Sequence, residues 1–212
     1  MTTREPVNTN LIVGIILPLY RMDQGDVEAL ASDLRRQVMA EYGREIQRNL
    51  NLYGCQRLYS GPDQTSQAWI DDYVGRMSES IARTYNSQLQ NEIRRQYTAN
   101  PRANRFSYIR ALDAWTVRRN AYKVPSIALN SMTQVRAYAQ DRFIRENKIT
   151  GRFAMVGPPP VCKICIRIKA NGPLPWEECQ RPENRLPAHV NCPHRREALV
   201  LIKIDCANAW TG

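Results

Sequence analysis

Apolar side chains recur every three or four positions through most of the first 146 residues, and then the rhythm changes. From Val27 the stripe runs through Leu30, Leu34, Val38, Tyr42, Ile46, Leu50 and Tyr53, which all fall on one helical face. Asp26 is a candidate N-cap for this helix and Gly54 a terminator. A turn at Gly61-Pro62-Asp63 precedes a second stripe: Ile70, Tyr73, Val74, Met77, Ile81, Tyr85, Leu89, Ile93 and Tyr97, halted by Asn100-Pro101. One apolar stripe on each helix suits an antiparallel pair. A third helix is predicted over Asn104 to Tyr122. Pro125-Ser126 reads as a break and a new cap for a fourth, which carries Ile127, Met132, Val135, Tyr138 and Phe143 and ends at Asn147-Lys148.

Beyond that point two short strands are predicted, 149–156 (ITGRFAMV) and 197–204 (EALVLIKI), with a rigid lead-in, Gly157-Pro-Pro-Pro160, after the first. The expected fold is mainly α: a long-helix N-terminal region followed by a small α+β module with a short β-sheet. The boundaries are an arm over 1–25, a helical domain over 26–123, a connecting helix over 124–148, the module over 149–206 and a tail over 207–212. Within the arm, Leu11 to Tyr20 (LIVGIILPLY) is apolar but too short to span a bilayer, and suits docking on a partner. No membrane partner is expected.

Charge adds a second layer. Thirty basic against twenty acidic residues give a net charge of +10, and 25 of the basic residues are Arg. This suits a polyanion such as nucleic acid, and equally arginine-rich contacts between subunits. The most basic stretch holds Arg102, Arg105, Arg110, Arg118 and Arg119, interleaved with Phe106, Tyr108, Trp115 and Tyr122. These five arginines are the candidate nucleic-acid contacts. A solvated or subunit-facing helix surface accounts for the same pattern more simply.

The chemistry lies in the module. Cys162-Lys-Ile-Cys165 is followed, after 23 intervening residues, by His189-Val-Asn-Cys192-Pro-His194, and both histidines of the chain are here. Two thiolates three positions apart face one tetrahedral ion from a tight turn, and His189 with Cys192 repeats the gap. The candidate metal ligands are Cys162, Cys165, His189, Cys192 and His194. The first set is Cys162, Cys165, His189 and Cys192, the second exchanges His189 for His194, and Cys179 stands in reserve. Structural Zn2+ is the expected cofactor, because the intervening span is rich in prolines and poor in apolar side chains and needs a fastener. Reduced buried thiols, a Cys162–Cys165 redox pair and a loop that has lost its metal are the alternatives. Six cysteines are too few and too uneven for a disulfide framework, and a reducing compartment at folding suits them best.

The module resembles that of the phage head morphogenesis proteins, the Mu F-like minor head proteins of tailed phages. That family has a helical N-terminal region, then Cys-x-x-Cys, a Gly-containing hairpin, Leu-His-Pro-Asn-Cys-Arg-Cys and a short strand. The matching residues are Cys162 to Cys165, Gly172, Leu186 to His194, and Ala198 to Ile204. The resemblance covers about residues 120 to 205. Val190 stands where the family has Pro, His194 where it has its last Cys, and the proline-rich span between the half-sites is longer. The resemblance implies a structural virion protein and not an enzyme. It would be a minor head component, oligomeric within the virion, inside the capsid or near the portal, after passage through the host cytoplasm during assembly. Its implied partners are the portal, the major capsid protein and packaged double-stranded DNA, with roles in head assembly and genome packaging or ejection. The other function classes are a stand-alone basic nucleic-acid-binding protein and a zinc-dependent His-Asn-His-type nuclease. The nuclease would need a further helix after the knot, where a strand is predicted.

Overall fold

In the computed structural model, the described residues are 21–55, 58–160, 162–189, 192–204 and 206. Seven elements follow one another: α1 (Gln24–Leu52), α2 (Gln64–Ala99), α3 (Arg105–Glu146), β1 (Thr150–Val156), α4 (Lys163–Ala170), α5 (Trp176–Cys179) and β2 (Arg195–Lys203). Three long helices followed by a two-stranded sheet match the expected fold class. The apolar arm over 11–20 and the tail over 207–212 lie outside the described residues.

Helix ends are set by local chemistry. Asp23, not Asp26, caps α1: its carboxylate accepts from the Asp26 N–H at 2.9 Å, while Asp26 reaches back to the Asp23 N–H at 3.1 Å. This reciprocal box starts the helix three residues earlier than the sequence suggested, with Asp26 in its first turn. Asp63 caps α2 through the Ser66 N–H and Asn104 caps α3 through the Ser107 N–H. α1 ends as expected at Gly54, whose φ of 71° allows Cys55 N–H to bond the Leu50 carbonyl. Lys148, with φ 46°, closes α3 in the same way and turns the chain into β1.

The predicted break at Pro125 is absent. α3 is one 42-residue helix with Pro125 inside it. Proline removes the bond its N–H would give to the carbonyl four residues back, on Ala121. Both Ala121 and Pro125 are exposed, so water can satisfy that carbonyl.

Two compact units divide the chain, one from the described part of Met1–Arg35 with Asp71–Val124, the other from Arg36–Ile70 with Pro125–Gly212. Each long helix therefore serves both. In the first unit, Tyr85, Leu89, Ile93, Tyr97, Tyr108 and Leu112 form the core. In the second, Tyr42, Ile46, Leu50, Phe143, Ile144 and Phe153 are almost wholly buried. Trp69 stacks on Tyr138 with centroids 3.8 Å apart, and Tyr53 on Phe143 at 5.7 Å.

β1 and β2 pair antiparallel from Thr150↔Lys203 to Val156↔Arg195, with register shifts that leave Leu199 and Ile202 without partners in the ladder. Phe153 also exchanges backbone hydrogen bonds with Leu174. The second unit carries a disulfide between Cys55 and Cys206, 151 residues apart in sequence. The chain thus holds one bridge that the reading of its cysteines did not foresee, and Cys162, Cys165, Cys179 and Cys192 are free. Closing a loop of that length restricts the unfolded chain by about 5 kcal/mol in the loop-entropy model. Replacing Cys206 with Ser should lower stability in non-reducing buffer and leave it unchanged under reductant. Denaturant melts of both proteins with and without reductant measure this, and coincident melts without reductant would count against the bridge.

Near the cap of α2, Arg142 pairs with both Asp63 and Glu146. Burial, with the Asp63 charge beside it, pushes the Glu146 carboxyl up to about 7 from an ordinary 4.5. A raised carboxyl pKa means the folded state holds a proton that the unfolded chain releases. Stability from this group is therefore complete below pH 4.5 and is lost as pH rises through 7. Glu146→Gln should flatten that part of the pH profile, so its melting temperature should gain on the wild type between pH 5 and pH 8. Parallel profiles would remove Glu146 from this role.

Candidate metal centre

Strand β1 ends at Val156 and the chain passes Gly157 into the prolines. Gly157 has φ 136°, and a Cβ there would lie 3.1 Å from the His194 ring, so glycine lets that imidazole pack close. Cys162 then caps α4. Its Sγ accepts the Cys165 N–H at 3.3 Å, which puts both cysteines of the pair on the inner side of one turn. α4 is a real helix where the sequence suggested only a turn. Ile164, Ile166 and Ile168 alternate as in a strand, yet Cys165 and Ile168 are the buried pair.

The returning segment brings the other donors in. His189 Nε2 lies 3.1 Å from Cys162 Sγ and 3.2 Å from Cys165 Sγ. Cys192 Sγ lies 3.7 Å from Cys165 Sγ and 3.6 Å from His194 Nδ1. All five predicted ligands thus converge, in two overlapping groups: Cys162–Cys165–His189 and Cys165–Cys192–His194. Cys165 belongs to both. Each group spans no more than 4.8 Å between donor atoms, so each could hold a metal ion. Both four-residue readings of the ligand set draw on both groups, sharing Cys162, Cys165 and Cys192 and differing only in the histidine. Cys179 stands apart, its thiol near the carbonyls of Leu174 and Phe153.

Electrostatics divides the thiols. The Cys165 N–H bond to its sulfur, assisted by His189, holds the Cys162 thiol below its usual range, despite some desolvation. Burial, with Cys162 and Cys192 beside it, pushes Cys165 up to about 12. Without a cation Cys165 stays protonated at neutral pH, and a bound metal would displace that proton. His194 is 5% exposed, and its Nε2 is 2.9 Å from the Pro158 carbonyl. A carbonyl only accepts, so Nε2 carries the hydrogen and Nδ1 turns a lone pair toward Cys192. That is how a supporting carbonyl fixes a ligating imidazole.

The span between the half-sites has a small core of its own. Cys165, Ile168, Leu186 and Cys192 form a buried cluster with Met155, Cys162 and Ala188 against it. Trp176 packs edge-on to Phe153 at 4.9 Å and donates to Asp141 at 2.8 Å. Asn184 accepts from Asn171 and donates to the Glu178 carbonyl. The candidate ligands are thus held by packing as well as by one another.

The candidate nucleic-acid contacts lie elsewhere, in the first unit. Arg102, Arg105, Arg110 and Arg118 are exposed. Arg119 is not available in the same way: its guanidinium lies 4.7 Å over the Tyr85 ring and its Nε donates to Gln88 at 2.8 Å. It packs a helix contact. Among the described residues, no helix is long and apolar enough to cross a membrane. Comparison of the chain with family models, with curated proteins and with solved structures finds no match in any of the three.

Because Cys165 serves both donor groups, Cys165→Ser should destabilise the protein more than Cys179→Ser. Chelation should lower the melting temperature of the wild type by roughly 10 °C, since structural metal binding contributes several kcal/mol to folding. It should leave Cys165→Ser unchanged. Equal chelator sensitivity of wild type and Cys165→Ser would place the metal elsewhere.

Proposed function

We propose that this chain is a structural component of a tailed-phage head, of the minor head or head morphogenesis type, whose C-terminal module is closed by zinc. The order of the module carries the reading. β1 leads through a rigid turn into Cys162 and Cys165, the chain returns through His189, Cys192 and His194, and β2 closes antiparallel on β1. That order, downstream of long helices, is the one in the family the module resembles.

Zinc suits the donors. Tetrahedral zinc, with bonds near 2.3 Å to sulfur and 2.0 Å to nitrogen, separates two sulfurs by about 3.8 Å and sulfur from nitrogen by about 3.5 Å. The Cys165–Cys192 and Cys192–His194 separations are 3.7 and 3.6 Å, and the contacts of His189 are somewhat tighter. Each group brings three donors, and a fourth from the other group would close a four-coordinate ion and leave no position for water or substrate, as a structural clasp requires.

In the head, the chain docks on the portal or major capsid protein, and its positive charge faces packaged double-stranded DNA. The exposed Arg102, Arg105, Arg110 and Arg118 are the residues available for that contact, and Arg119 is withdrawn from the set. The test is fractionation of particles from an infection in which this chain is tagged. It should copurify with proheads and filled heads in a fixed ratio, and its loss should leave heads that fail to assemble, package or eject. Complete, filled and infectious particles formed without it would overturn the reading.

A further inference from the structure

The second unit holds a buried positive charge that the metal centre does not use. Arg196, at the start of β2, is 3% exposed. Its guanidinium donates to two backbone carbonyls, that of Asn184 at 3.0 Å and that of Phe153 at 3.4 Å. Its Nε has no hydrogen-bond partner. No carboxylate pairs with it among the described residues. A buried cation left without a counter-charge costs several kcal/mol, so native proteins pair or neutralise such groups.

Arg196 lines a cavity of about 190 Å³ together with Trp176, Arg136, Arg185 and Arg195. The acids near this cavity are already engaged. Glu45 is held by Arg48, and Asp141 by Arg145 and the Trp176 indole. Arg136 pairs with Glu41, which Arg44 shares, and Arg195 pairs with Glu197, which Arg48 shares. Arg185 is exposed and, like Arg196, has no carboxylate partner among the described residues. The cavity thus carries two uncompensated guanidinium groups. The one group beside Arg196 that could ionise against it is the Cys179 thiol, and burial holds that thiol neutral by raising its pKa.

We propose that this cavity binds an oxyanion, a phosphate or a carboxylate group, which supplies the counter-charge to Arg196 and is gripped from the surface by Arg185. Guanidinium groups bind both oxyanions through paired charge-assisted hydrogen bonds, and the indole of Trp176 provides an apolar wall. A carboxylate would come from an acidic chain end or side chain of a neighbouring protein, a phosphate from a free ion or a nucleotide.

Isothermal titration of the purified full-length chain tests this, with inorganic phosphate in one arm and acetate in the other, at ionic strength held constant with chloride. Saturable binding of one anion per chain in either arm is expected, and the arm that binds names the chemistry. Arg185→Gln, a surface change that leaves the fold intact, should weaken binding about tenfold or more. Arg196→Lys keeps the charge but loses the fork, and should weaken it as well in protein whose circular dichroism is unchanged. Failure of both anions to bind beyond chloride would overturn the proposal. So would binding that Arg185→Gln leaves at wild-type strength, since that marks an adventitious ion only.

Discussion

A thiol at the centre of the module sets the terms for what surrounds it. Cys165 is buried, lies within reach of Cys162 and His189 on one side and of Cys192 on the other, and cannot ionise there by itself. A metal cation would resolve that conflict by taking the proton's place, and would draw both half-sites to one point. The other features of the module serve this arrangement. The Cys162 cap orients the first pair, Gly157 admits the His194 ring, and the Pro158 carbonyl fixes its tautomer. The β1–β2 ladder brings the two ends of the module side by side.

The long helices answer to a different constraint. Each shares its length between two compact units, so one helix contributes to two cores. On α1 and α2 the stripe crosses the unit boundary unbroken, from Leu34 to Val38 and from Ile70 to Val74, because helical periodicity does not register which core a residue joins. Pro125 falls at that boundary, where an exposed turn tolerates the lost hydrogen bond.

Much of this was legible in the chain itself. Steps of three and four marked α1 and α2, Gly54 marked the end of α1, and the short segments 149–156 and 197–204 marked both strands. The Cys/His spacing named all five converging donors, because that geometry is local to two short turns. Other features were hidden for physical reasons. The alternating isoleucines of α4 mimic a strand, and only tertiary packing selects Cys165 and Ile168 as its inner face. The choice between Asp23 and Asp26 as cap depends on backbone geometry that either residue type permits. The Cys55–Cys206 pairing joins residues 151 apart, which no spacing rule reaches. Arg119 looks like its exposed neighbours in sequence, and only the rings of Tyr85 and Trp115 show that it belongs to a packed contact. The uncompensated charge of Arg196 is likewise invisible until its carbonyl partners are placed.

The central claim is that the cysteines and histidines of the module close around a metal ion as a tetrahedral thiolate–imidazole centre. Titration of the metal-free chain with cobalt(II) tests it most directly, since a cobalt spectrum reports both ligand type and geometry. The account predicts one cobalt per chain, the intense visible bands of a tetrahedral cobalt–thiolate site, and their discharge by one equivalent of zinc. A weak, octahedral-type spectrum, or saturation that is unchanged in Cys165→Ser, would contradict it.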